Sequence, residues 1–409
     1  MALKGYINNK GHLVLPDDVV AEYGLYPGAE ILMEREADSL IVSRSISHLS
    51  TIYLEPTNQC NLHCNTCIRN VWEEPLGRME METYDRVLSG IKEIPSIRTI
   101  FFGGYGEPLS HPDIIPMLRR AKQAGIRVEL ITNGTLLTEK IVGELIDLKL
   151  DCLWVSLDGA TPETYTDIRV GAELSSILNN LENLHRHRLL RSSPYPEIGI
   201  SFVAMKKNIK DLPRIISIVH NIRASKLSIS NVLPYTKSLK DELLYEKSGS
   251  GWRLGYCDLS LPRMDIDDVL APIIKDLIFW FDWSGLAGQS RERRRDHCPF
   301  VSRGSTSIRW DGHVSPCQPL MYTYRHFLGD HERENRSFFV GSLVEDTLLD
   351  IWNEPEYISL RQKLTVFDFS PCTECNSCEL AEHNREDCMG NHLPACGGCL
   401  WAQGFINCP

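Results

Sequence analysis

The chain of 409 residues lacks an excess of positive charge, since 43 Lys and Arg stand against 54 Asp and Glu and leave a net charge of -11. That balance disfavours a general attraction to nucleic-acid phosphates or anionic lipid, although local basic patches remain open. Long apolar runs are also missing. The most apolar candidate, VLAPIIKDLIFWFDW, is short and is broken by Lys275, Asp276 and Asp282, so no membrane span is expected. No signal-peptide pattern opens the chain, no repeat of fixed period recurs, and no low-complexity tract marks it as disordered. The expectation is a soluble cytoplasmic protein. Hydrophobic residues make up 43% of it, enough for a sizeable core, and its length suggests two or three domains.

Cysteine is abundant. Secreted disulfide scaffolds are usually small, whereas the 14 thiols here crowd into CxxC-type groups far apart in a long chain. Metal ligation in a reducing compartment explains them better. The run CNLHCNTC, just after the strand-like TIYLEPT, holds Cys60, Cys64 and Cys67 and no fourth thiol. A structural zinc knuckle closes its shell with four protein ligands, and a redox CxxC needs only two. Three thiols therefore leave an open coordination position, unless a zinc site borrows a distant fourth ligand.

Four stretches follow from the pattern along the chain. Residues 1–46 hold short alternating runs separated by Gly, Pro and Asn, a small β-rich module. Residues 47–233 alternate strand and helix in six β/α units, which implies an α/β fold with a parallel sheet, a partial (β/α)6 barrel. Residues 234–297 bridge, with a basic run RERRRD read as a solvated surface. Residues 298–409 are cysteine-dense, weakly periodic and loop-like, a domain held by metal clusters more than by a large core.

CNLHCNTC after the first strand resembles the CxxxCxxC signature of the radical S-adenosylmethionine (SAM) superfamily, and the six units resemble that family's partial barrel. The resemblance implies that Cys60, Cys64 and Cys67 bind three irons of a [4Fe-4S] cluster, leaving one iron to chelate SAM, whose reductive cleavage yields a 5'-deoxyadenosyl radical. GGYGEP, at the end of the second strand, resembles the family's glycine-rich motif. It implies SAM contacts from Gly103, Gly104, Gly106 and Glu107, the last holding the methionine ammonium; a plain strand-ending turn is the alternative. Asn133, Ser156 and Asp158 close the third and fourth strands on the rim where barrel sites form. By resemblance Ser156 lies near the methionine carboxylate or ribose, Asp158 supports it, and Arg169 pairs with the SAM carboxylate.

Cys298, Gly312 and Cys317 resemble the opening of the SPASM extension, with SIRWDGHVSPC as its hairpin. Cys372, Cys375, Cys378, Cys388, Cys396, Cys399 and Cys408 bring the candidate auxiliary ligands to nine, against eight for two fully ligated [4Fe-4S] clusters. The CxxCxxC spacing departs from the usual SPASM pattern and leaves the partition open, and a zinc-bearing tail is the alternative. Cys152 and Cys257 fall outside these groups, Cys152 reading as a buried apolar thiol. The front module resembles the AbrB/SpoVT swapped-hairpin type, which implies dimerisation or protein docking; its mixed charges make a poor phosphate-binding surface.

Together, the module, GGYGEP and the tail CGGCLWAQGFINCP most resemble radical SAM/SPASM maturases associated with tungsten-containing aldehyde oxidoreductases. That implies a protein, peptide or cofactor substrate, a tungsten oxidoreductase partner, and a low-potential donor such as ferredoxin or flavodoxin. A ribosomal-peptide crosslinking enzyme and a DNA-binding iron-sulfur redox regulator are the alternatives.

Overall fold

The computed structural model describes residues 5–16, 19–20, 31–36, 39–245, 253–254, 258–260, 262–265, 267–274, 296–329, 331–373 and 378–408. In the front module, β1 (Tyr6–Ile7) pairs antiparallel with β2 (Leu13–Val14), and β3 (Ile31–Glu36) with β4 (Ser39–Arg44). Asn8 makes the first turn possible: its Oδ1 accepts from the Lys10 and His12 backbone N–H groups, and Gly11 takes the positive φ of 79°. Tyr6, Ile7, Leu13 and Met33 are all exposed, so this small module presents apolar side chains to solvent.

The six alternating units form β5 (Thr51–Leu54), β6 (Thr99–Phe102), β7 (Arg127–Thr132), β8 (Cys152–Ser156), β9 (Glu197–Ala204) and β10 (Lys226–Asn231). They lie side by side in chain order and every pair is parallel. Strand periodicity sorts their side chains between two faces. Ile52, Ile100, Val128, Leu153, Ile198 and Leu227 pack in one cluster with Val87, Met117, Val142, Leu181 and Ile215 of the crossover helices. Burial of each such side chain is worth about 1.5–3 kcal/mol. Tyr53, Phe101, Cys152 and Trp154 point to the other face and gather around Phe300. Cys152 is fully buried there, and burial pushes its thiol up to about 12. Gly199 is required at that face, because a Cβ would lie 2.4 Å from the Trp154 ring.

Residues expected only to bridge extend the sheet: β11 (Arg253–Leu254) pairs antiparallel with β12 (Asp258–Ser260), which runs parallel to β10. RERRRD, apart from Asp296, and Cys257 lie outside the described residues. On the opposite edge, β13 (Ser305–Ile308) pairs parallel with β5 and antiparallel with β14 (His313–Ser315), the hairpin expected from SIRWDGHVSPC. β15 (Tyr324–Leu328) and β16 (His331–Asn335) form a separate hairpin, and β17 (Gly341–Ser342) pairs with β14.

The expectation of a loop-like carboxyl-terminal part with little core needs correction. Its helices Leu348–Trp352 and Pro355–Val366 send Leu348, Ile351, Trp352 and Tyr357 into the same core as the sheet. The pattern was hidden because β13 is fully buried yet reads Ser-Thr-Ser-Ile, with no alternation of polarity. The last residues run beside β10, where Asn231 Nδ2 donates to the Phe405 carbonyl at 2.9 Å and the Asn407 N–H donates to Ser230 Oγ at 3.0 Å. Both edges of the six-stranded arc are thus held by chain from beyond residue 250. Among the described residues no helix is long and apolar enough to cross a membrane.

Candidate functional site

Cys60, Cys64 and Cys67 lie on the loop leaving the carboxyl end of β5, fixed from both sides. Thr57 Oγ1 donates to the Gly77 carbonyl and Asn58 Nδ2 to that of Pro75, while the His63 and Asn65 N–H groups donate to Val170 and Ile168. Each thiol faces a nitrogen donor from a different part of the fold. Asn133 Nδ2 is 3.8 Å from Cys60 Sγ, Arg169 Nη1 4.0 Å from Cys64 Sγ and Arg69 Nε 3.3 Å from Cys67 Sγ. Burial pushes the Cys60 and Cys64 thiols up, and the two guanidinium groups oppose that push. Such donors favour thiolates, the form that binds metal.

Glycines let the next loop approach. A Cβ on Gly106 would lie 2.1 Å from the Thr57 carbonyl oxygen, and one on Gly104, whose φ is +98°, would lie 2.5 Å from Glu55 Cγ. Gly103 is pressed against Phe101 in the same way. Glu107 is 2% exposed. Its Oε1 accepts from the Leu109 N–H at 3.0 Å and Thr132 Oγ1 at 2.7 Å, and its Oε2 from the Asn133 N–H at 2.7 Å. A carboxylate accepts at about four positions, so about one remains for an added ligand. Burial pushes its carboxyl up, and those three bonds oppose the push.

At the strand ends, Asn133 reaches the cysteine loop through Nδ2, which donates to Asn61 Oδ1 at 2.9 Å. Asp158 is fully buried and pairs with Arg169, whose Nε donates to its Oδ2 at 2.6 Å. Arg169 therefore stands between Asp158 and Cys64. Ser156 ends β8 on the same rim and is buried.

Sequence reasoning missed Glu55. It is 1% exposed, accepts from the Tyr105 N–H at 2.9 Å and from the Tyr322 hydroxyl, and burial pushes its carboxyl up to about 7. The signal was present: Glu55 follows β5 at its carboxyl end, the position that singled out Asn133 and Asp158. Trp72, Tyr105 and Tyr322 form an aromatic wall beside it, with ring centroids 4.1–5.6 Å apart.

No three Cys, His, Asp or Glu side chains among the described residues converge closely enough for a single metal ion. Residues 54–212 match the radical SAM superfamily, and residues 298–379 match SPASM, an iron-sulfur cluster-binding domain. The chain carries a radical SAM domain and a SPASM domain. It is 29% identical over 365 residues to the tungsten-containing aldehyde ferredoxin oxidoreductase cofactor-modifying protein of Pyrococcus furiosus, covering 88% of this chain and 96% of that one. It is 28% identical to the PqqA peptide cyclase of Bradyrhizobium diazoefficiens, over 46% of this chain and 48% of that one. In fold it resembles Streptococcus suis SuiB bound to precursor peptide SuiA, with a TM-score of 0.53 at 17% identity, covering 80% of this chain and 70% of that one. A radical SAM enzyme with a [4Fe-4S] cluster, SAM and auxiliary iron-sulfur clusters follows from the two domains.

Several of the described thiols from Cys298 onward lie near one another. Burial pushes up the thiols of Cys298, Cys317, Cys396 and Cys399, and those of Cys298, Cys317 and Cys396 are raised further by others of the four. Cys408 accepts from Trp401 Nε1 at 3.2 Å and lies beside this group. Cys388 Sγ is 3.0 Å from Ser370 Oγ, and Ser370 is joined to Cys372 by a backbone hydrogen bond. Cys378 is half-buried, and Cys375 lies outside the described residues. No disulfide joins any of the described cysteines.

Proposed function

We propose that this chain is a maturase that directs radical SAM chemistry at a tungsten-containing aldehyde oxidoreductase or its cofactor. The observation that carries the reading is extent. Similarity to the Pyrococcus cofactor-modifying protein runs through nearly the whole of both chains, whereas similarity to the peptide cyclase covers less than half of either.

In this reading Cys60, Cys64 and Cys67 hold the radical cluster and leave one iron open to SAM. When bound, that cluster supplies the electron that splits SAM into methionine and a 5'-deoxyadenosyl radical. The chain's own residues do the positioning. Gly103, Gly104 and Gly106 give room for SAM against the backbone, and the remaining acceptor position of Glu107 suits an ammonium group. Asn133 and Ser156 bound the same space, and Arg169, held by Asp158, offers a cation to a carboxylate. The wall of Trp72, Tyr105 and Tyr322 excludes water from the region in which a radical must survive. Cys298, Cys317, Cys396 and Cys399 form one auxiliary ligand set; Cys372, Cys375, Cys378 and Cys388 form the other, with Cys408 in reserve. A ferredoxin or flavodoxin serves as electron donor, and the front module docks the partner protein or a second copy.

The deciding experiment supplies reconstituted enzyme, SAM and a strong reductant with either the immature tungsten oxidoreductase or short candidate peptides. Mass change and activation of the oxidoreductase, dependent on SAM, support the proposal. Modification of a peptide alone moves the assignment to a peptide-modifying enzyme. Absence of SAM cleavage, with tight binding to the chain's own promoter, moves it to a redox regulator.

A further inference from the structure

Arg333 sits on β16 directly opposite His326 of β15. It is 2% exposed, and its hydrogen bonds go to backbone carbonyls, those of Ala381 at 2.5 Å and Ala395 at 3.3 Å. Among the described residues it forms no ion pair with a carboxylate. A buried guanidinium is costly unless negative charge lies close to it. Burial pulls its guanidinium down from the usual arginine value, and the nearby Cys372, Cys399 and Cys396 oppose that pull.

The CGGC turn is shaped around this cation. A Cβ on Gly398 would lie 2.7 Å from Arg333 Cζ, so glycine alone lets the guanidinium rest on the turn between Cys396 and Cys399. On the other side, a Cβ on Gly397 would lie 1.8 Å from the Ser370 carbonyl oxygen and 3.3 Å from Cys372 Sγ. The turn is thus pressed between Arg333 and the Cys372 segment. A small cavity of about 40 Å³ opens beside it, lined by Cys317, Cys396, Cys399, Tyr324, His326 and Arg333 among others. His326 is 4% exposed and its Nδ1 finds no partner among the described residues. Arg333 is the cation of that lining.

We propose that Arg333 is the counter-ion of the auxiliary iron-sulfur centres, a positioning residue that sets how readily they accept an electron. This rests on the reading of Cys298, Cys317, Cys396 and Cys399 as one ligand set and Cys372 as a member of the other. Four thiolates leave a [4Fe-4S] centre net negative, and an added electron makes it more so. Net charge and burial are main determinants of its potential. A fixed cation in a low-dielectric interior favours the reduced state, because little water is present to screen it. It rests on the Cys396–Cys399 turn, whose other side meets the Cys372 segment, so one charge lies near both groups.

The test is a redox titration of the full-length holoprotein followed by electron paramagnetic resonance, on wild type, Arg333→Met and Arg333→Lys. With iron content unchanged, Arg333→Met should lower the reduced-to-oxidised ratio of an auxiliary centre at fixed potential by about tenfold or more, a 59 mV shift for a one-electron couple. Arg333→Lys should restore most of it. An unshifted midpoint in fully loaded Arg333→Met overturns the proposal. If Arg333→Met loses an auxiliary centre while Arg333→Lys keeps it at the wild-type midpoint, the requirement for charge stands. If both variants lose it, Arg333 serves only to bridge Ala381 and Ala395, and the proposal fails. Wild-type protein with no iron beyond one cluster would instead sink the auxiliary-ligand reading.

Discussion

Tyr322 donates a hydrogen bond to Glu55 across 267 residues of sequence, joining the SPASM part to the floor of the glycine loop. The carboxylate is 1% exposed, and a Cβ on Gly104 would fall on its side chain. One bond therefore couples the position of the auxiliary domain to the backbone that borders the cysteine loop.

Glu55 should make stability depend on pH. Burial raises its folded-state value from 4.5 to about 7, so the folded chain holds a proton that the unfolded chain releases between those limits. Its contribution is most favourable below about pH 4.5, declines as pH rises to about 7, and is constant beyond. The span is roughly 3 kcal/mol as an upper bound. Glu55→Gln keeps the shape and removes the titration, so denaturant midpoints of the holoprotein taken anaerobically from pH 5 to 8 should lose that slope. An equal slope in the variant would assign it to another group.

Replacing Cys60, Cys64 and Cys67 together by Ala should abolish 5'-deoxyadenosine formation from SAM. Iron should fall by about one cluster's worth while the auxiliary signals persist, since those thiols belong to separate segments. Retained SAM cleavage in the triple variant would remove these residues from the site.

Gly106→Ala tests the close approach of the two loops. Its new methyl would meet the Thr57 carbonyl at 2.1 Å and the Gln59 carbonyl at 2.5 Å, so the backbone leading to Cys60 must move. SAM cleavage should drop on the order of a hundredfold, as displacements near 1 Å do in positioned reactions. Gly11→Ala, at an open turn in the front module, should leave it intact. Equal activity of the two variants would show that the loops tolerate separation.

Removal of residues 1–44 should separate docking from chemistry. Ile46 and Ser47 stay in place because the Arg361 side chain donates to the Ile46 carbonyl at 2.9 Å and Trp352 Nε1 to that of Ser47 at 2.7 Å. SAM cleavage should persist, while capture of a co-expressed tungsten oxidoreductase on an affinity resin should fall at least severalfold. Undiminished capture would place the docking surface elsewhere.

The parallel sheet was legible because its strands are apolar and evenly interrupted by amphipathic helices, as in TIFF before Gly103 and RVELIT before Asn133. The thiols of CNLHCNTC were legible because their spacing carries chemistry by itself. Partners distant in sequence were not. β13 hides as Ser-Thr-Ser-Ile, and nothing local to Tyr322 announces Glu55. Arg333 reads as one charge in the run HEREN, and only the fold shows it buried beneath the CGGC turn. The glycines of that turn did carry a message, since two adjacent residues without Cβ mark a place where other groups come close.

The pairing of β5 with β13 places Thr51 against Ser305, whereas β10 is paired by β12 from Asp258 and bonded by the tail at Phe405 and Asn407. During synthesis the first strand of the sheet therefore leaves the ribosome long before the strand that covers its outer edge, whereas β12 follows soon after β10. Contacts of such sequence separation form slowly, and uncovered strand edges recruit other chains. The nascent protein passes through a stage in which the sheet is assembled but open along β5, and that stage is where chaperone engagement and loss to aggregation should concentrate.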